Sequence, residues 1–140
     1  MYVDACSMNL IRQPQEFDVI VTTNLFGDIL SDESSQVVGG LGMAPAANIG
    51  DDFGLFEPVH GAAFDIAGKQ IANPTSFILS IKMMLEWLGV KNHDQNSSNA
   101  AKNLEDIVLN VVKSGVATKD IGGTMSTREF TKEITNRLSA

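Results

Sequence analysis

Apolar positions recur at helical spacing along most of the chain and bunch together in one place. Tyr2 to Arg12 holds no glycine or proline, which predicts a helix ending before Pro14. Asp18 to Thr23, with Val19, Ile20 and Val21 in succession, predicts a strand buried on both faces, as in a parallel sheet. A second helix is expected to open at Asn24 and stop at Gly39-Gly40, where glycine can take the left-handed conformation that ends helices. On that helix Leu25, Phe26, Ile29, Leu30 and Val37 fall mainly on one arc, while Asp28 and Asp32 share the opposite face.

From Gly39 to Asn73 the periodicity fades, leaving a glycine-rich stretch whose one short apolar run is Leu55-Phe56. Its alanines, phenylalanines and isoleucines argue against disorder, so it reads as a shaped ligand loop. Asn73-Pro74 reads as an N-cap followed by proline at the first helical position, opening a core stripe of Phe77, Ile78, Ile81, Leu85 and Leu88 that ends at Gly89. Val90 to Asn99 is polar and predicts a connection. Leu104, Ile107, Val108, Val111 and Val112 mark another amphipathic helix, ending near Gly115. Ser126 with Glu129 forms a capping box for a last helix that should bury Phe130, Ile134 and Leu138. Strand followed by helix indicates an α/β fold. Yet about five helices accompany one convincing strand and one short one, too few for the sheet that a doubly buried strand requires. The chain is therefore expected to be part of something larger.

Composition narrows the setting. With 140 residues and 44% apolar content the chain can bury one modest core. Its single cysteine, Cys6, forbids an internal disulfide, suggests a reducing compartment and reads as a small buried hydrophobe. The longest candidate for a membrane span, Phe77 to Val90, is interrupted by Lys82 and Glu86, and Met1-Tyr2-Val3-Asp4 does not open a secretory signal; no membrane role and a cytoplasmic location are expected. Residues 1 to 65 carry ten acids and a single base, Arg12, whereas residues 66 to 140 carry seven acids and nine bases. An acidic first half disfavours nucleic acid as a partner.

Charge also sharpens the reading of Asp28 and Asp32. Carboxylates four residues apart on one helical face suit a divalent cation, which takes clustered oxygen ligands. The competing reading is an ordinary solvated acidic face.

The run from Asn24 to Asp32, continued through Gly39-Gly40-Leu41-Gly42, resembles the signature of the β-decarboxylating dehydrogenases, the family of isopropylmalate, isocitrate and homoisocitrate dehydrogenases. Tyr2-Val3-Asp4-Ala5 upstream agrees in order and spacing. So do Phe56-Glu57-Pro58-Val59-His60-Gly61, Asp65-Ile66-Ala67-Gly68 and Ala72-Asn73-Pro74 downstream. The resemblance implies the isocitrate/isopropylmalate dehydrogenase-like fold, C-terminal portion only. Residues 1–39 would finish a smaller, dimer-forming domain and 40–140 would return to the larger, nucleotide-binding one. It also implies that Asp28 and Asp32 bind Mg²⁺ or Mn²⁺, and that Asp4 reaches the ion of the neighbouring subunit in a homodimer.

By the same resemblance, His60, Gly61, Ala62, Ala63, Asp65, Ile66 and Asn73 surround the adenosine half of the cofactor, with Glu57 near its nicotinamide end. A carboxylate at Asp65 accepts hydrogen bonds from ribose hydroxyls and repels a 2′-phosphate, which implies NAD rather than NADP, as in Rossmann enzymes. Gly39-Gly40-Leu41-Gly42 follows a helix rather than a strand and is no Rossmann fingerprint. Ala62 and Phe64 depart from the commonest family wording, Gly-Ser-Ala-Pro-Asp, and remove a hydroxyl and a φ constraint. The Gly-Ala-Ala-Phe-Asp wording, with Ala44 to Gly50, is most similar to archaeal-type isopropylmalate dehydrogenases. That similarity implies oxidative decarboxylation of 3-isopropylmalate, a small 2-hydroxy acid of leucine biosynthesis. Isocitrate or homoisocitrate dehydrogenase is the nearest alternative, and a noncatalytic truncated module the alternative from another class. The family's catalytic tyrosine and lysine and its substrate-binding arginines are expected upstream of Met1, so no catalytic residue is assigned here and the 140 residues alone are expected to be inactive.

Overall fold

A computed structural model of the chain describes residues 1–139. Among them, five α-helices and two strands follow in the order α1 (Val3–Arg12), α2 (Asn24–Val37), β1 (Pro45–Ile49), β2 (Gly54–Pro58), α3 (Thr75–Lys91), α4 (Gln95–Lys113) and α5 (Thr127–Leu138). Short 3-10 turns lie at Pro14–Glu16, Phe64–Ile66 and Lys119–Ile121.

Local chemistry sets most of the helix ends. A residue before proline is pushed out of the helical region, and Gln13 accordingly sits at φ −147°, closing α1. Past α2, Gly39 takes φ +113° and the Gly40 N–H returns to the Ser35 carbonyl at 2.8 Å. The capping box of α5 is complete, with the Ser126 hydroxyl and the Glu129 carboxylate each serving the other's backbone N–H.

Buried side chains form two clusters. Leu104, Val108 and Val111 of α4 meet Phe130 and Ile134 of α5, with Ile78, Leu79 and Ile81 of α3 packed against them. Separately, Cys6 and Leu10 of α1 close on Leu30 of α2, flanked by Val3 and Phe17. Cys6 is thus a buried free thiol packed as a hydrophobe.

The expected strand from Asp18 to Thr23 is absent. The strands among the described residues pair only with each other, β1 antiparallel to β2 with Ala47 opposite Phe56, and Val19 and Val21 are 82% and 92% exposed. A doubly buried strand needs a neighbour on each edge, and none is present there. For the same reason the apolar arc of α2 is not covered: Leu25, Phe26, Ile29 and Val37 are exposed and only Leu30 is buried.

Five further expectations are corrected by the packing. The stretch from Gly39 to Asn73 is only partly irregular, because β1 and β2 form a hairpin within it. α3 begins at Thr75 rather than Pro74, although Asn73 still serves the helix end, its Oδ1 accepting from the Thr75 N–H at 3.0 Å. Gly89 does not end α3, which continues to Lys91; it is buried, and a Cβ there would collide with Ser98 of α4. The expected connection from Val90 to Asn99 is mostly helix, since Asp94 caps α4 by accepting from the N–H groups of Asn96 and Ser97 at 3.0 and 3.3 Å. Phe77 and Leu138, expected in the core, are exposed.

α3 in fact packs two ways. Its apolar side faces α4, while Ser76 and Ser80 are buried toward the hairpin. The Ser80 hydroxyl donates to the Glu57 carbonyl at 2.7 Å and the Ser76 N–H to the Gly42 carbonyl at 2.7 Å. Small side chains let the hairpin approach, and their polar atoms satisfy its backbone.

Candidate functional site

A cavity of about 800 Å³ opens beside the start of α3, lined by His60, Gly61, Ala62, Ala63, Asp65, Ile66 and Asn73 together with Leu41, Gly42, Gln70, Asp120 and Thr127. Every expected cofactor residue except Glu57 therefore lies around one space. Glu57 is outside it on β2, where its Oε1 accepts from Asn48 Nδ2 at 3.4 Å.

The loop earns its shape from local turns and from α5. Residues Phe64–Ile66 make a single 3-10 turn, and the chain then reverses through Gly68 at φ +75° and Gln70 at φ +56°. Thr127 ties the far side down, its N–H donating to the Gln70 carbonyl at 2.9 Å and its hydroxyl to the Ala72 carbonyl. His60 Nδ1 lies 3.0 Å from the Gly61 carbonyl, which can only accept. A neutral ring making that contact has its proton on Nδ1 and offers Nε2 as an acceptor.

Electrostatically the lining is one-sided. Asp65 and Asp120 are its carboxylates, and no lysine or arginine is among the lining residues. Sequence reasoning missed Asp120, Thr118 and Thr127. A Thr-x-Asp followed by Gly122-Gly123 between two helices was the available signal, because such residues organise tight turns.

The expected metal ligands are placed on α1 and α2. Asp28 and Asp32 are both exposed on α2, with Asn24 Nδ2 donating to Asp28 Oδ2 at 3.4 Å. Asp4 sits in the first turn of α1, its Oδ1 accepting from the Ala5 N–H at 2.8 Å. Ser7 Oγ bridges to Glu33 Oε1 at 2.9 Å and helps hold α1 against α2. Among the described residues no three His, Cys, Asp or Glu side chains gather where they could hold an ion, so one chain does not assemble the three aspartates.

A larger cavity, about 910 Å³, lies between α2 and the α3–α4 pair, lined by Ser31, Ser34, Met43, Leu79, Met83 and Leu109 among others. Lys82 enters it and bridges Glu86 at 2.9 Å and Glu105 at 3.3 Å. Burial alone would lower the Lys82 ammonium, but the two glutamates outweigh it and hold its pKa above the ordinary value. Its lysine is already paired. The smaller cavity, where the exposed Asp65 carboxylate stands beside an open loop, is the better candidate for a polar ligand.

The chain matches the family model described as isocitrate/isopropylmalate dehydrogenase over residues 1–136. The 3-isopropylmalate dehydrogenase of Sulfurisphaera tokodaii is 55% identical over 139 residues, covering 99% of this chain and 41% of the relative. The isocitrate/homoisocitrate dehydrogenase of Thermus thermophilus is 53% identical over 138 residues, covering 99% and 39%. A crystal structure of isocitrate dehydrogenase from Methylococcus capsulatus matches with a TM-score of 0.89 at 47% identity, over 99% of this chain and 40% of that one. The chain thus spans about two fifths of the length of the curated relatives it matches. A match running through both helical clusters and the loop of the smaller cavity, in sequence and in backbone, leaves one conclusion: the chain belongs to the isocitrate/isopropylmalate dehydrogenase family.

Proposed function

We propose that this chain is the NAD- and metal-binding portion of a cytoplasmic, NAD-dependent enzyme that oxidatively decarboxylates 3-isopropylmalate. The observation that carries the reading is the single cavity that gathers His60, Gly61, Ala62, Ala63, Asp65, Ile66 and Asn73. Those residues fit a dinucleotide: the turn offers exposed backbone and a carboxylate acceptor for ribose hydroxyls, and the lining offers no cation for a 2′-phosphate. Glu57, on β2, is assigned to the nicotinamide end. Substrate identity rests on the archaeal 3-isopropylmalate dehydrogenase relatives. The Thermus relative, nearly as similar, favours isocitrate or homoisocitrate as the second reading.

For the metal, Asp28 and Asp32 supply the hard oxygen donors that Mg²⁺ or Mn²⁺ takes, one helical turn apart and open to solvent. A bound ion would supply Lewis acidity as the alcohol is oxidised and CO₂ departs. Asp4 is assigned to the neighbouring subunit's ion in a homodimer, and the separate α1–α2 cluster supports placing residues 1–39 in the dimer-forming domain and 40–140 in the nucleotide-binding one. Proton transfer and substrate-carboxylate binding are assigned to residues outside these 140.

The cofactor reading is tested at Asp65. In the 140-residue chain, NAD should bind more tightly than NADP, and Asp65→Ala should narrow that ratio at least about tenfold, the scale of losing a charge-assisted contact and a repulsion together. Equal binding of the two cofactors by the unaltered chain would contradict the role given to Asp65.

A further inference from the structure

Asn73 is buried, at 8% exposure, and its amide is committed to the protein. Oδ1 accepts from the Thr75 N–H at 3.0 Å, while Nδ2 donates to Asp120 Oδ2 at 3.0 Å and lies 3.5 Å from Met43 Sδ. The orientation of that amide is not arbitrary. Flipping it would set Oδ1 against the Asp120 carboxylate, acceptor facing acceptor, and Nδ2 against the Thr75 N–H, donor facing donor.

Asp120 is itself held in place. Its Oδ1 accepts from the Thr118 hydroxyl at 2.6 Å, and Thr118 is fully buried at the foot of the Lys119–Ile121 turn. That turn is closed by the Gly123 N–H on the Thr118 carbonyl at 2.9 Å and the Met125 N–H on the Ala117 carbonyl at 3.0 Å. A charged acceptor on a fixed turn makes the stronger kind of hydrogen bond. Asn73 then passes the constraint to the first turn of α3 through Thr75 and to the Gly42-Met43 turn, which returns to α3 through the Gly42 carbonyl.

We propose that Asp120 is a positioning residue of the nucleotide cavity: it sets the Asn73 amide and thereby fixes the wall formed by Gly42, Met43 and the start of α3 before ligand arrives. The inference rests on the cofactor reading above for the identity of the ligand, but not for the geometry. A wall ordered in advance removes an ordering cost from binding.

The test uses the ¹⁵N-labelled 140-residue chain with Asp120→Ala and Asp120→Asn, read by the Asn73 side-chain amide signals without ligand, by ADP-ribose affinity and by thermal midpoint. Asp120→Ala should shift the Asn73 amide signals, speed their exchange with solvent and weaken ADP-ribose about tenfold, the scale of one charge-assisted hydrogen bond. Asp120→Asn retains a carbonyl acceptor and should restore both the signals and the affinity. Unchanged Asn73 signals in Asp120→Ala would overturn the proposal, as would ADP-ribose affinity that survives their loss. An Asp120→Asn chain as weak as Asp120→Ala, at an equal thermal midpoint, would overturn it in favour of a purely electrostatic role. If the unaltered chain fails to bind ADP-ribose, the cofactor reading falls, and the Asn73 signals alone decide whether Asp120 sets the amide.

Discussion

Replacing Gly42 by alanine adds one methyl group at the tightest point of the cavity wall. Its Cβ would stand 2.9 Å from Asn73 Cβ, 3.0 Å from Asp120 Oδ2 and 3.3 Å from Asn73 Cγ. Asp120 Oδ2 is the end of a side chain and can give way. Asn73 Cβ cannot move without its backbone, which is fixed one residue before Pro74 and two before α3. Gly42 does not adopt a positive φ, so alanine meets no backbone strain and removes unfolded-state freedom worth about 0.4–1 kcal/mol. Overpacking costs about 1–3 kcal/mol, so the net should be a destabilisation of about 1–2 kcal/mol. Urea denaturation should report that loss as a lower midpoint with an unchanged slope, and the melting temperature should fall by about 3–8 °C. Gly61→Ala is the internal control, since no atom lies within 4 Å of a Cβ there and its φ is not positive. With no overpacking to offset that loss of unfolded-state freedom, it should raise stability by about 0.4–1 kcal/mol while reducing ADP-ribose binding. A Gly42→Ala chain as stable as the parent would refute the close approach on which the wall depends.

Two other perturbations probe separate parts of the molecule. In an enzyme carrying this segment at full length, Asp28→Asn should lower turnover and metal affinity together, each at least about tenfold, a loss that even partners touching a ligand produce; unchanged Mg²⁺ dependence would sink the ligand assignment. The capping carboxylates give a pH signature. Glu129 is held below its ordinary 4.5, chiefly by the Ser126 N–H and then its hydroxyl, and Asp94 below 3.8, chiefly by the Ser97 hydroxyl and then the Asn96 N–H. Both carboxylates are bound in the folded state, so their contribution is complete above those ordinary values and is lost as pH falls through the lowered folded ones. The melting-temperature gap between the parent and Glu129→Gln should therefore be constant near neutrality and close on acidification below about pH 4. A gap that persists undiminished in strong acid would show that the capping box does not depend on charge.

Signals confined to a few neighbouring residues were legible in the sequence. Pro14, Gly39-Gly40 and the Ser126–Glu129 pair each act within one turn of chain, and each marks a helix end as expected. The His60 to Ile66 wording likewise located the loop that now lines the smaller cavity. What escaped depends on partners far along the chain. Gly89 reads locally as a stop, yet it is a contact surface for Ser98 of the next helix. β1 has the sequence Pro-Ala-Ala-Asn-Ile, with little strand propensity or alternation, and forms because β2 and the small residues of α3 receive it. Val19 to Val21 shows the opposite case, an apolar run with strand character but no neighbouring strand. The Asn73–Asp120 hydrogen bond spans 47 residues, and no local pattern encodes it.

The central claim, that the loop from His60 to Ile66 with Asn73 forms the nucleotide site, is tested most directly by titrating NAD into the ¹⁵N-labelled chain and mapping the amide signals that move. Saturable shifts should centre on residues 60 to 66, Asn73 and Asp120. Shifts centred instead on Ser31, Lys82 and Leu109 would move the site to the larger cavity, and no saturable shift at millimolar NAD would contradict nucleotide binding by this segment.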